Sequence, residues 1–179
     1  MEVDEAALFT RARRAYEFGR LRAALRVTVY IAPLVLVSLI GCGTLGGTLA
    51  LGSLLTAAAV GMRWRGGVYG RSVVPGIAAG LAAFWTPLLA AAIESHGGPV
   101  VPLAGLAALA GGIVTGSVVG VRVARLETDQ TRFMISAASV AALTGSLGCL
   151  LAGAAGLIGM LAGIVATTTP VLLAVRARA

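Results

Sequence analysis

The chain has no lysine, no asparagine, one glutamine (Gln130), one histidine (His96) and two cysteines (Cys42 and Cys149). Each scarcity narrows the chemistry. Two cysteines match no zinc spacing, and Glu94 with His96 offers two ligands where zinc needs three or four. Glu94 and His96 therefore read as part of a solvated loop. Cys42 and Cys149 are expected near the outer face, close to the ends of their spans. They read as small residues packed in helix ends, or as a pair able to form a disulfide in an oxidising compartment. Charge is scarce too, at 12% of residues, about half of what a soluble domain carries. No long apolar run holds Asp, Glu, His or Arg in its middle. Ionisable groups inside a membrane mark proton relays and ion paths, so their lack argues against a proton-coupled pump. It also leaves the spans without general acids or bases. The expectation is a protein with no catalytic residues, no cofactor and no metal.

What is abundant is apolar. Of the 179 residues, 58% are hydrophobic, more than a soluble fold of this length can bury. The bilayer is the natural solvent for such runs. The net charge is +7 and all fourteen basic residues are arginine. A basic chain can suggest nucleic acid, but these arginines lie between apolar runs, where they set membrane orientation. No nucleic-acid partner is expected. The Arg, Ala and Gly bias reads as a high-GC codon habit, and with it a bacterial inner membrane. The first residues include Glu2, Asp4 and Glu5, and the first long apolar run begins only at Val27. A secretory signal would open with positive charge and bring its apolar core earlier, so the first span is expected to stay in the protein.

Length then counts the spans. A helix rises about 1.5 Å per residue, and a hydrocarbon core of about 30 Å needs about 20 residues. Between Arg26 and Arg63 lie 36 uncharged residues, about 54 Å as one helix. This run must double back, and the glycines from Gly41 to Gly47 are the cheapest place for a reversal. From Phe133 to Val175 there are 43 uncharged residues, which must also double back, near Gly153 to Gly156. The reading is an all-α membrane protein: a six-helix bundle with spans at 25–41, 47–62, 72–93, 102–121, 133–152 and 157–175. By connectivity these form three hairpins. Cys42 and Cys149 stand at similar distances after Arg26 and Arg132, a faint trace of repetition. Six spans place every arginine cluster on one side, and that side is expected to be cytoplasmic with both termini.

Residues 1–24 form the remaining segment, a cytoplasmic arginine-rich helix. Phe9, Ala12 and Tyr16 make one stripe and Phe18, Leu21 and Leu25 another, while Arg11, Arg13, Arg14 and Arg20 are spread around the helix. It reads as a helix lying on anionic lipid headgroups or docking a cytoplasmic protein partner. Arg63, Arg65 and Arg71, beside Trp64 and Tyr69, extend the same lipid or partner contact to the first loop between spans. In the loop 125–132, Thr128 or Asp129 is a candidate cap for the fifth span, and the charges are expected to pair internally.

Two patterns inside the spans are candidate sites. Gly76 and Gly80, then Gly112, Gly116 and Gly120, then Gly159 and Gly163 each place small residues four apart on one helix face. Such faces let backbones approach, within this bundle or between copies in a homo-oligomer. Trp85-Thr86-Pro87 and Thr167-Thr168-Thr169-Pro170 each carry a proline that frees the carbonyl four residues earlier. Nearby threonine hydroxyls can repair such a gap. Alternatively, Trp85, Thr86, Thr167, Thr168 and Thr169 line a substrate site between broken helices. The functional expectation is a membrane anchor, regulatory or assembly subunit. The alternative is a small-molecule transporter or the substrate-binding subunit of a transport complex.

Overall fold

The computed structural model describes residues 5–42, 44–96, 103–126, 128–150 and 153–177. Seven helices are present among them: α1 (Glu5–Leu25), α2 (Thr28–Cys42), α3 (Leu45–Arg65), α4 (Gly67–Ser95), α5 (Leu103–Ala124), α6 (Gln130–Cys149) and α7 (Gly153–Arg176). Six segments are long and apolar enough to cross a membrane, the first spanning α1 and α2. The chain is a multi-pass helical membrane protein.

Helix ends depart from the expected spans in instructive ways. α4 starts at Gly67, not at residue 72, and carries Arg71 in its second turn. A helix continues past the bilayer edge at no cost, so the uncharged run marks only its apolar part. The second reversal falls before Gly153, which has φ +63°. Gly153 and Gly156 then lie inside the first turn of α7. Prolines 33, 75, 87 and 170 all sit inside unbroken helices. Pro87 and Pro170 therefore do not interrupt their spans. One missing backbone bond is cheap when packing on both sides holds the helix.

α6 is the centre. Of its 18-residue apolar window, 67% is buried, against 17% for α7 and 22% for α3. It packs most closely on α4, while α5 packs on both α4 and α7. The tightest partners are thus α4 with α6 and α5 with α7, which are not neighbours in sequence. α2 and α3 lie outside this group of four and meet it through α6 and α4.

Two kinds of seam hold the bundle. On the α2–α3 side the core is large and aliphatic: Ile31, Leu34, Leu55, Val73, Ile77, Phe84, Val140 and Leu147. Within the group of four the seam is small. In α5 the buried positions are 108, 111, 112, 115, 116, 119, 120 and 123, the three-and-four spacing of one helix face. Ile113, Val114, Val118 and Val121 point the other way and are exposed. In lipid, apolar side chains gain little by hiding from the tails, so close van der Waals approach between small residues carries the association.

Candidate functional site

The glycine patterns resolve into specific pairs. A Cβ on Gly76 would stand 2.8 Å from the Ala137 carbonyl, and one on Gly80 2.7 Å from that of Ala141. These two glycines face α6. Gly112 lies against the backbone of Met160, Gly116 against the Thr167 hydroxyl and Gly120 against Val171, so all three face α7. From the other side, a Cβ on Gly163 would meet the Leu109 carbonyl at 2.6 Å, and one on Gly159 the Gly105 carbonyl at 3.1 Å. The α5 and α7 repeats thus face one another.

Four further glycines do the same work and were not singled out by the fourfold spacing. Gly111 sits under the Thr86 hydroxyl and Ala83, Gly145 against Met160 and Ala83, and Gly148 against the backbone of Phe84. Gly52 receives the side chain of Val35. Gly111 is the immediate neighbour of the α5 repeat. Gly145 and Gly148 are three apart, a spacing that shares a helix face equally well.

The five residues named for a substrate site differ in surroundings. Trp85 is 45% exposed on the outer surface of α4, its ring edge-on to the buried Phe84. Thr86 Oγ1 is buried with no hydrogen-bond partner; it fills the space beside Gly111. Thr167 donates to the Gly163 carbonyl at 2.8 Å. Thr168 and Thr169 donate to the carbonyls of Ile164 and Val165 at 2.8 and 2.7 Å. None of these bonds reaches the Ala166 carbonyl freed by Pro170. The hydroxyls close onto their own helix instead of repairing the proline gap.

Buried hydroxyls also bond across between spans. Ser38 on α2 donates to the Leu147 carbonyl of α6 at 2.9 Å. Thr115 on α5 donates to the Ala79 carbonyl of α4 at 2.9 Å. Both hydroxyls are buried. Cys149 is buried too, with its sulfur 3.8 Å from that of Met160. The Cys42 side chain, residues 1–4, the loop at 97–102, Glu127 and Arg178 lie outside the described residues, and with them the Cys42–Cys149 pairing.

Val68 of α4, Val123 of α5, Phe133 of α6 and Val171 of α7 belong to one apolar cluster. It joins the helix ends that carry Arg71, Arg122, Arg125 and Arg132. Arg20 of α1 donates to the Trp64 carbonyl, so the end of α1 docks where α3 stops. A guanidinium at a helix C-terminus meets both an orphan carbonyl and the negative end of the dipole. Arg63 donates to the Gly70 carbonyl at 3.0 Å, and Arg65 lies 5.3 Å from the ring centre of Tyr69. Asp129 stands just before α6 with φ +56° and makes no side-chain cap. Its carboxylate pairs with Arg132 at 3.7 Å.

Arg11, Arg13 and Arg14 are fully on the surface of α1. Arg13 pairs with Glu17 at 3.1 Å, an exposed i,i+4 contact of small worth. Phe9, Tyr16 and Phe18 are 75%, 66% and 69% exposed. The aromatic residues of α1 are thus largely uncovered, with Arg20 lying over the Tyr16 ring at 5.7 Å. Among the described residues, no group of three or more His, Cys, Asp or Glu is placed to hold a metal ion. Set beside known protein families, curated proteins and solved structures, the chain matches none of them.

Proposed function

We propose that this chain is a polytopic inner-membrane protein without catalytic activity that serves as a membrane anchor, regulatory or assembly subunit. Its spans run as three hairpins, 25–62, 72–121 and 133–175, with the arginine-rich end and both termini in the cytoplasm. The observation that carries the reading is the state of α1. Its aromatic residues Phe9, Tyr16 and Phe18 are exposed, and its docking on the rest of the chain is toward its end, through Arg20 and the buried Ala24. An amphipathic surface of aromatics and arginines suits anionic headgroups or the acidic face of a cytoplasmic protein. The close glycine seams support the same reading, because Gly111 and Gly116 approach the Thr86 and Thr167 hydroxyls and leave little room beside them.

Deleting residues 1–22 tests it. Proteins that co-purify with the full chain from native membranes should be lost, while the truncated chain still inserts. An unchanged set of partners would overturn the reading. One observation favours the alternative, a transporter or substrate-binding subunit. α2 and α3 enclose an open apolar groove of about 720 Å³, lined by residues that include Ala32, Val35, Gly52, Ser53, Thr56 and Ala57. Under that reading Ser53→Phe fills the groove and abolishes uptake of an apolar substrate. Under the anchor reading the same change leaves partner recovery intact.

A further inference from the structure

A second cavity lies at the arginine-bearing end, where the turn between α3 and α4 meets the start of α6. It holds about 450 Å³ and is lined by Arg65, Gly66, Gly67, Val68, Tyr69 and Arg132. Two arginines from different helices therefore line one cavity. The carboxylate recorded beside them is Asp129, 3.7 Å from Arg132 with both partners partly exposed. Among the described residues, one acid stands against two arginines here. Arg65 has no acid or hydrogen-bond acceptor among the described residues. Its recorded contact is the face of Tyr69, which orients the guanidinium plane and leaves its N–H edge available.

The backbone adds to this field. Gly66 and Gly67 have φ of +74° and +57°, a left-handed pair that other residues adopt only with strain. They turn the chain so that α4 opens into the same cavity. No side chain caps this end. The first helical bond is Gly70 N–H to the Gly66 carbonyl, which leaves the N–H groups of Gly67, Val68 and Tyr69 without helical acceptors. Arg20 reaches the rim, its Nη2 3.6 Å from where a Gly66 side chain would begin. One of its N–H groups goes to the Trp64 carbonyl.

We propose that this cavity binds a phosphate-type anion, held by Arg65 and Arg132 with the uncapped turn of α4 behind it. Forked guanidinium donors match phosphate oxygens two at a time, and helix N–H groups at the positive dipole end suit the same ligand. The phosphate can arrive on a lipid headgroup or free in solution. The inference needs only that this end of the bundle meet water. It holds whether or not α1 recruits a partner, since none of the six lining residues belongs to α1.

The test uses the full chain in nanodiscs of phosphatidylcholine doped with phosphatidic acid. Retained phosphatidic acid is counted by native mass spectrometry, with inorganic phosphate as competitor. Arg65→Gln and Arg132→Gln should each weaken retention about tenfold, the scale of one lost charge-assisted contact. Arg122→Gln, on an exposed arginine outside the cavity, should change it less than about twofold if a built site and not net charge is responsible. Unchanged thermal melting certifies that each variant is folded. Competition by inorganic phosphate assigns the site to a free anion, and retention despite phosphate assigns it to a headgroup. If Arg65→Gln and Arg132→Gln weaken retention no more than Arg122→Gln, the attraction is diffuse and the proposal falls.

Discussion

Replacing Gly112 by alanine separates close backbone packing from ordinary helix propensity. In water, Gly→Ala inside a helix stabilises by roughly 0.5–1 kcal/mol. Gly61, in α3, has open space where a Cβ would go, so Gly61→Ala should gain up to that amount. At Gly112 the same atom runs into the backbone of Met160, with its carbonyl carbon and Cα at 3.0 and 3.1 Å. Backbone cannot swing aside as a side-chain tip can, and overpacking of this kind costs about 1–3 kcal/mol. The two variants should therefore differ by about 2–4 kcal/mol, or roughly 30- to 1,000-fold in the unfolding equilibrium. The assay reads Cys149, which is 1% exposed and touches Met160. In a Cys42→Ser background, a thiol-reactive dye reports its exposure as detergent-solubilised protein is heated. Gly112→Ala should melt well below the parent and Gly61→Ala at or above it. Equal melting of the two would refute the claim that α5 and α7 meet through their backbones.

Two other variants test the polar contacts. Ser38→Ala removes the bond from α2 to the Leu147 carbonyl; interhelical bonds in membranes average about 0.6 kcal/mol, so melting should fall slightly and hydrogen exchange in α2 should rise. Exchange unchanged in α2 would mean that the aliphatic seam alone holds it. Thr86→Val removes a buried hydroxyl that has no partner and keeps its shape. Such a group costs about 1–3 kcal/mol, so the variant should be neutral or more stable by thermal melting. A clear loss of stability would show that the hydroxyl is engaged.

The number of spans was legible because it follows from length and charge, which are local. Arg26, Arg63, Arg122 and Arg132 bracket stretches that only certain folds can accommodate in a bilayer. Helix ends were less legible. α4 begins at Gly67 because nothing in the bilayer's thickness stops a helix from emerging into water. The small-residue faces were readable from Gly112, Gly116 and Gly120, but the spacing names a face and not its partner. That Gly76 meets α6 while Gly112 meets α7 depends on how six helices share space. The threonines follow a local rule that spacing does not display. A hydroxyl inside a helix has a carbonyl one turn back always within reach, and Thr167, Thr168 and Thr169 took it. Sequence spacing also gave no hint that Arg132 comes to Arg65 across 66 intervening residues.

The account turns on which water boundary the arginine-bearing helix ends occupy. Single cysteines at Trp64 and His96, both exposed, in a chain lacking Cys42 and Cys149, can be probed with a membrane-impermeant maleimide on intact cells. His96→Cys should label at once, and Trp64→Cys only after the inner membrane is opened. Labelling of Trp64→Cys from outside would contradict the topology and, with it, the cytoplasmic placement of α1.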